Sequence, residues 1–220
     1  MIKIIFPILG VILTNLFGFS IFKSYILNRD QLMNEYNEIL FYLILFNGLL
    51  WLLYGVILKD IFIFLSSITS IISSFGFIQI LYKHIKTEKK IYIEILTICG
   101  LLYILFIIYL LNFTLIDYLI IRRLVGISCI LITIAINISP LLIIKQVIIE
   151  RNTELIYLPQ IFINSINHLS WLIYAIIIDN YFLIISNIIC LFILLFVFII
   201  YLIIKIKNNN KIYAIDNEQI

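Results

Sequence analysis

The feature that most limits what this chain can fold into is a series of seven apolar runs, each about 20 residues long and separated by short polar breaks. A helix rises about 1.5 Å per residue, so each run matches the ~30 Å hydrocarbon core of a bilayer. With 64% of its 220 residues hydrophobic and 12% charged, the chain carries more apolar surface than a soluble domain of that length can hide. Lipid leaves helices or a closed barrel as the spanning choices, because every backbone polar group must find its partner inside the protein. The period-2 alternation of a barrel strand is missing from the runs. The expected fold class is therefore an all-α membrane protein with seven transmembrane helices, near residues 3–25, 38–58, 61–82, 91–112, 121–148, 157–178 and 181–204.

The breaks read LNRDQLMNEYNE, KD, KHIKTEKK, NFTLID, ERNTEL and DN, and the chain ends in KIKNNNKIYAIDNEQI. The first run begins beside Met1, with a single Lys3 ahead of it and no small-x-small cleavage pattern, so it reads as a spanning helix rather than a cleaved signal. Positive charge orients the bundle. After runs 1, 3, 5 and 7 stand Lys23, Arg29, Lys83, Lys86, Lys89, Lys90, Lys145, Arg151, Lys205, Lys207 and Lys211. On the opposite side stand Lys3, Lys59, Arg122 and Arg123, so eleven against four places the N-terminus outside and the C-terminus in the cytoplasm. The net charge of +3 gives no reason to expect nucleic acid as a partner. Cys99, Cys129 and Cys190 fall inside apolar runs and read as small buried side chains, with no disulfide framework, metal spacing or cofactor signature. No nucleophile–base pair points to an enzyme.

Within the runs a polar pattern occurs twice. NGLLWLLYGVILKDIFIFLSS begins at Asn47, and NHLSWLIYAIIIDNYFLIISN begins 120 positions later at Asn167. Asn47, Trp51 and Tyr54 thus pair with Asn167, Trp171 and Tyr174, and each copy then meets an acid at the next turn, Asp60 and Asp179. Runs 1–3 match runs 5–7 and run 4 is left over. An odd linker keeps both halves in the same orientation, which predicts two parallel three-helix repeats, a 3+1+3 layout, with a pathway between them. The expected divisions are 1–88 for the first repeat, 89–116 for the linker helix, 117–206 for the second repeat and 207–220 for a cytoplasmic tail.

Trp171 lies eight residues before Asp179 and Asn187 eight after it, so both sit at one depth on adjacent helices, with Asn167 one turn from Trp171. In the first copy Trp51 and Asn47 play the same parts, and Ser67 stands where Asn187 does. An indole face stacks on the C–H face of a sugar ring, and a carboxamide both donates to and accepts from a hydroxyl. The bland reading is an interfacial aromatic belt with Asn joining helices, and the doubling of the pattern disfavours it. His168 reads as a hydrogen-bonded core histidine ahead of a proton relay. Asp60 and Asp179 read as turn or capping residues.

At these residues the chain resembles the SWEET sugar transporters. ISPLLIIKQVIIERNTE at 138–154, followed by the second copy at 167–187, carries the stronger likeness, through Ser139, Pro140, Leu141, Lys145, Val147, Ile148, Trp171, Tyr174, Asp179 and Asn187. In the first repeat Trp51, Tyr54, Gly55, Lys59 and Asp60 fit. The resemblance implies a facilitative, bidirectional carrier of mono- or disaccharides that works by alternating access, with a sugar site lined by Trp51, Trp171 and Asn187. Asn47 and Asn167 match its pocket positions, and Ser67 departs from an expected Asn. It also implies flexing prolines. Pro140 matches one, Pro159 lies two residues past another, and in the first half Gly18 stands near an expected place. The plasma membrane is the expected location, with no targeting signal in the sequence to set it apart from a vacuolar membrane; sugar and lipid are the expected partners, and self-association into a homo-oligomer is left open. The alternative is a PQ-loop-type, proton-coupled amino-acid transporter of a lysosomal or vacuolar membrane, to which Pro159-Gln160 lends support. A seven-helix receptor or a non-transporting scaffold fits the duplicated halves less well.

Overall fold

The computed structural model describes residues 2–27, 37–82, 87–113, 116–150, 153, 156 and 158–218. Among them run seven helices: α1 (Ile2–Leu27), α2 (Asn37–Leu58), α3 (Ile61–Tyr82), α4 (Thr87–Phe113), α5 (Tyr118–Glu150), α6 (Leu158–Ile177) and α7 (Tyr181–Glu218). They fall within a few residues of the predicted spans at nearly every end. The exception is α7, which continues past the expected end near 204 through the polar stretch to Glu218. Nothing in that stretch breaks a helix, since it holds neither Gly nor Pro. The loop residues 28–36 and 83–86, with Arg29, Lys83, Lys86 and Arg151 of the charge count, lie outside the described residues.

This is an integral membrane protein, and its surface shows why. Apolar side chains point outward: Phe192 is 68% exposed and Ile149 71%. Hydroxyls and carboxamides point inward, with Ser66, Ser74, Asn137, Asn164 and Asn187 all buried. Among the described residues four helical stretches, Ile93–Asn112, Tyr118–Ile138, Leu158–Ile177 and Tyr181–Asn208, are long and apolar enough to cross a bilayer by length and composition, and Ile2–Leu16, Tyr42–Leu58 and Ile61–Gly76 are shorter apolar stretches. α6 shows the inversion best. Its buried face is Asn164, Asn167, His168, Trp171, Tyr174 and Ala175, spaced at three and four residues, which puts the polar stripe on one side of a 3.6-residue helix.

The packing has a near-twofold plan. In each repeat the third helix contacts both others, α3 against α1 and α2, and α7 against α5 and α6. The halves meet through α1 with α6 and α2 with α5, which closes a ring of six helices, while α4 lies against α2 and α5. This is the 3+1+3 layout of two parallel repeats and a linker helix.

The two tight turns have one construction. Lys59 and Asp179 adopt the left-handed conformation, with φ of 57° and 51°. Asp60 N donates to the Gly55 carbonyl at 2.9 Å and Asn180 N to the Ala175 carbonyl at 2.9 Å, closing each preceding helix. The next side chain caps the following helix. Asp60 Oδ1 accepts from Phe62 N (2.9 Å) and Ile63 N (3.2 Å), and Asn180 Oδ1 accepts from Leu183 N (3.2 Å). The repeat therefore pairs Asp60 with Asn180, at the same 120-residue offset as the tryptophans, and pairs Lys59 with Asp179. Asp179, expected as a turn residue one place early, is the left-handed residue of its turn, and the cap, which needs only a side-chain oxygen, falls to Asn180.

Candidate functional site

A cavity of about 140 Å³ lies inside the ring of six helices, and Asn47, Trp51, Ser67, Asn167, Trp171 and Asn187 all line it. Sequence spacing put these six at one level, and the fold brings them to one wall-to-wall space. Thr14, Thr133, Asn137, Asn164, His168 and the serines Ser66, Ser70, Ser73, Ser74 and Ser186 share the lining with aliphatic side chains. The lining described is neutral and rich in oxygen.

Each tryptophan is oriented by the opposite repeat. Trp51 Nε1 donates to Thr133 Oγ1 at 3.0 Å, and that hydroxyl donates to Asn47 Oδ1 at 2.8 Å. Trp171 Nε1 reaches Thr14 Oγ1 at 3.4 Å, and the Thr14 hydroxyl stands 3.2 Å from Asn167 Oδ1 and 2.8 Å from its own helix's Gly10 carbonyl. The arrangement is Trp to Thr to Asn on both sides, tighter on the first. Both indole N–H groups are thereby aimed at a helix of the other half. Gly10 makes room for one of them: a Cβ there would lie 2.8 Å from Trp171 Cε2 and 2.9 Å from its Nε1. Thr14 and Thr133 escaped the sequence reading because they are 119 apart rather than 120 and sit on helices whose repeats look unlike.

One turn beyond each tryptophan the halves are clasped. Tyr174 Oη donates to Asp60 Oδ2 at 2.7 Å, and Tyr54 Oη donates to Asn180 Oδ1 at 3.1 Å. Each tyrosine thus holds the capping residue of the other repeat. The Arg122 guanidinium also reaches Tyr54. Trp51 packs edge-on to Tyr54 at 5.6 Å between ring centroids, and Trp171 to Tyr174 at 6.0 Å, so each indole rests against the phenol one turn along its own helix. Tyr118 donates its hydroxyl to the Ile57 carbonyl at the same end. The cavity lining runs the other way, along α3 from Ser67 to Ser74 and along α6 to Asn164.

The second half carries an extra polar cluster. His168 Nδ1 lies 2.8 Å from Asn187 Oδ1, and its Nε2 lies 3.3 Å from Asn137 Oδ1, which also accepts from Asn164 Nδ2 at 3.0 Å. His168 is buried and hydrogen-bonded, as expected of a core histidine, yet it also faces the cavity. On the first half Ser67 Oγ donates to its own helix at the Ile63 carbonyl (2.7 Å), as Asn187 Nδ2 does to the Leu183 carbonyl (2.7 Å).

The expected flexing points are placed as follows. Pro140 lies well inside α5, where it has no N–H to offer the Ile136 carbonyl. Pro159 is the second residue of α6, a position whose N–H has no helical partner in any helix, so it interrupts no bond there. Gly18 lies inside α1. The sequence reading passed over Pro7, which is fully buried inside α1. Among the described residues no group of three or more His, Cys, Asp or Glu is placed to hold a metal ion.

Comparison with known proteins adds two findings. Residues 123–209, which span nearly all of the second repeat, match the family model described as "Sugar efflux transporter for intercellular exchange". The fold matches a eukaryotic SWEET transporter solved at 3.7 Å, with a TM-score of 0.76 and 14% sequence identity, over 93% of this chain and 99% of that one. No curated protein matches in sequence.

Proposed function

We propose that this chain is a facilitative, bidirectional sugar carrier of the SWEET family, a reading supported by the family match over its second repeat and by the fold of the whole chain. Membership of a family of transporters agrees with a role outside enzymology. The observation that carries the reading is the doubled Trp–Thr–Asn arrangement facing one neutral cavity from both repeats. Indoles offer flat apolar faces to the C–H side of a sugar ring, while the carboxamides and hydroxyls around them offer donors and acceptors to its rim. Trp51 and Trp171 would sandwich or flank the ring, with Asn187, Asn47, Asn167 and Ser67 reading hydroxyls.

The mechanism is alternating access. The Tyr174–Asp60 and Tyr54–Asn180 bonds close one end of the cavity, which the positive-charge count makes the outer end. Opening that end requires both bonds to part, with Pro140, Gly18 and the start of α6 at Pro159 absorbing the change in helix angle. Uniport is favoured over proton coupling, because the cavity wall offers carboxamides and hydroxyls where a coupled carrier needs a carboxylate. A zwitterionic amino acid would likewise want charged partners, which leaves the PQ-loop alternative without a favouring observation. The plasma membrane is the proposed location.

The test is uptake of radiolabelled glucose and sucrose by cells lacking their own hexose carriers, at pH 5.5 and 7.5, with Trp171→Ala and Asn187→Ala compared at equal surface expression. Uptake that ignores pH and is lost in both variants supports the reading. Surface-verified protein that moves neither sugar overturns it for those substrates.

A further inference from the structure

The cavity has two levels, and they are built differently. At the tryptophan level Asn47, Trp51 and Ser67 face Asn167, Trp171 and Asn187, each pair at the 120-residue offset. Farther in, the duplication stops. Ser70, Ser73 and Ser74 of α3 line the cavity, and their counterparts on α7 are Cys190, Ile193 and Leu194. Asn164 of α6 lines it too, and its counterpart on α2 is Ile44. Ser74 comes seven residues after Ser67, and Asn164 seven before Trp171. At 1.5 Å per residue both lie about 10 Å from the tryptophan level, on the side away from the tyrosines. The polar groups of this inner level are thus set apart from those that flank a ring between the indoles.

Asn164 has hydrogen-bonding capacity that the protein leaves unused. Asn137 Nδ2 donates to the Thr133 carbonyl at 2.9 Å, which turns Asn137 Oδ1 toward Asn164, and Asn164 Nδ2 donates to that oxygen at 3.0 Å. Turning the Asn164 amide over would set two acceptor oxygens against each other, so its orientation is fixed. Asn164 Oδ1 is left without a partner among the described residues, although the residue is only 5% exposed. Among those residues Arg122 Nε is the only fully enclosed side-chain nitrogen or oxygen that lacks a partner, so the Asn164 oxygen meets the open space of the cavity. The second N–H of Asn164 is unused as well. Across the cavity Ser73 and Ser74 donate to carbonyls of their own helix at 3.0 and 2.7 Å, which leaves their oxygens able to accept. The Ser70 hydroxyl has no partner among the described residues. A buried amide oxygen that nothing in the protein satisfies is costly, and a guest that donates to it removes that cost.

We infer that Asn164 and the Ser70–Ser74 face of α3 form a second, inner binding station for one hydroxylated ring, in which a substrate hydroxyl donates to Asn164 Oδ1 and another meets the serines opposite. The inference rests on the sugar reading of the cavity. The tryptophan level clamps a ring by its faces, whereas the inner level holds it by hydroxyls alone and has no indole to stack on it. A ring moving inward therefore passes from an aromatic clamp to a polar station on its way to the cytoplasmic end.

Cysteine reporters separate the two levels in the full-length protein in detergent, where a thiol reagent reaches both ends. Ser67→Cys reports the tryptophan level and Ser73→Cys the inner one, and the chain without a reporter supplies the background from Cys99, Cys129 and Cys190. Glucose should slow labelling at both reporters. Asn164→Ala should raise the glucose concentration that halves labelling at Ser73→Cys by about 3- to 10-fold, the worth of one neutral hydrogen bond, and leave the value at Ser67→Cys unchanged. Ser70→Ala, which removes a hydroxyl and nothing else, should act in the same direction. Glucose that protects Ser67→Cys and not Ser73→Cys overturns the inference, since the inner space then holds water alone. So does protection at Ser73→Cys that neither substitution weakens, because closure of the carrier around a ring at the tryptophans would produce it. A loss that both substitutions spread equally to Ser67→Cys also overturns it, by showing one station rather than two. Labelling at Ser67→Cys that glucose does not slow sinks the sugar reading of the tryptophan level, and this inference with it.

Discussion

Replacing Gly10 by alanine adds one methyl group, and the structure says where it goes. The new Cβ would stand 2.8 Å from Trp171 Cε2, 2.9 Å from Nε1 and 3.2 Å from Cδ2. Carbon atoms settle at about 3.5–4.0 Å, so the indole must retreat by about 1 Å or α1 must move off α6. The ring is packed in a buried cluster with Ile63, Tyr174 and Leu183, so a retreat strains that packing, and its N–H, already 3.4 Å from Thr14 Oγ1, loses that bond with a further ångström. Overpacking of this kind costs about 1–3 kcal/mol, which corresponds to about 5- to 150-fold in the population that keeps the indole in place. Gly76 is the control. It lies in a helix with nothing within 4 Å of an added Cβ, so the same substitution there should be neutral or stabilising by up to about 1 kcal/mol. The chain has two tryptophans, so in a Trp51→Phe background the emission of Trp171 reports its surroundings directly. Gly10→Ala should shift that emission and cut sugar uptake in the otherwise wild-type protein at least fivefold, while Gly76→Ala changes neither. Wild-type uptake and unshifted emission in Gly10→Ala would refute the packing argument, as would equal damage from Gly76→Ala.

The clasp and the turn each yield a further expectation. Tyr174→Phe removes a bond to a carboxylate, worth about 1.5–3 kcal/mol, and Tyr54→Phe a bond to an amide, worth about 0.5–1.5 kcal/mol. Both should raise labelling of a Ser67→Cys reporter by an impermeant thiol reagent added outside, Tyr174→Phe the more, and the reverse order would show that charge assistance does not set the strength of the closure. Asn180→Ala removes a helix cap and the acceptor of Tyr54 and should destabilise the fold by about 0.5–2 kcal/mol from the cap alone, read as a lower Tm in detergent. Asp179→Gly relieves a left-handed residue and should leave Tm equal or higher, and a larger loss there than at Asn180 would contradict the register of the turn.

What could be read from sequence followed from what the duplication repeats. Trp51 and Trp171, Asn47 and Asn167, and Ser67 and Asn187 stand at one constant offset, and the fold brings all six to one cavity. Seven apolar runs of spanning length likewise gave the helices, because lipid leaves the backbone no other economy. Thr14 and Thr133 were hidden for the opposite reason. Each serves the tryptophan of the other repeat, so neither shows beside its partner in sequence, and their offset differs by one. Asn137 and Asn164 have no polar counterparts at the matching places of the first half, Ile44 standing for Asn164, so a search for repetition passes over them, while His168, opposite Gly48, was legible as a core histidine but not as part of the cavity wall. Asp60 and Asp179 were legible as turn or capping residues, but which of the two roles each takes was not, because the cap in the second copy falls to an uncharged Asn180.

The doubled pattern Asn-x-x-x-Trp-x-x-Tyr has a mechanical meaning that neither copy has alone. On α2 and on α6 the carboxamide, indole and phenol occupy three successive turns of one face, and each of them bonds to the opposite repeat: Asn47 and Trp51 to Thr133, Tyr54 to Asn180, Tyr174 to Asp60. The contacts at the tyrosines and the contacts that aim the tryptophans therefore all cross from one repeat to the other, the first from α2 and α6 to the turns before α7 and α3, the second from α2 to α5 and from α6 to α1. Because helices are stiff over one turn, halves that part at the tyrosines also part at the threonines. A substrate held between the indoles of the proposed carrier would stabilise the closed end without touching it, and an open end would leave both indole N–H groups to water or to substrate. In the proposed carrier that linkage is what couples occupancy to closure, and it needs both copies because each half supplies the partner the other half lacks.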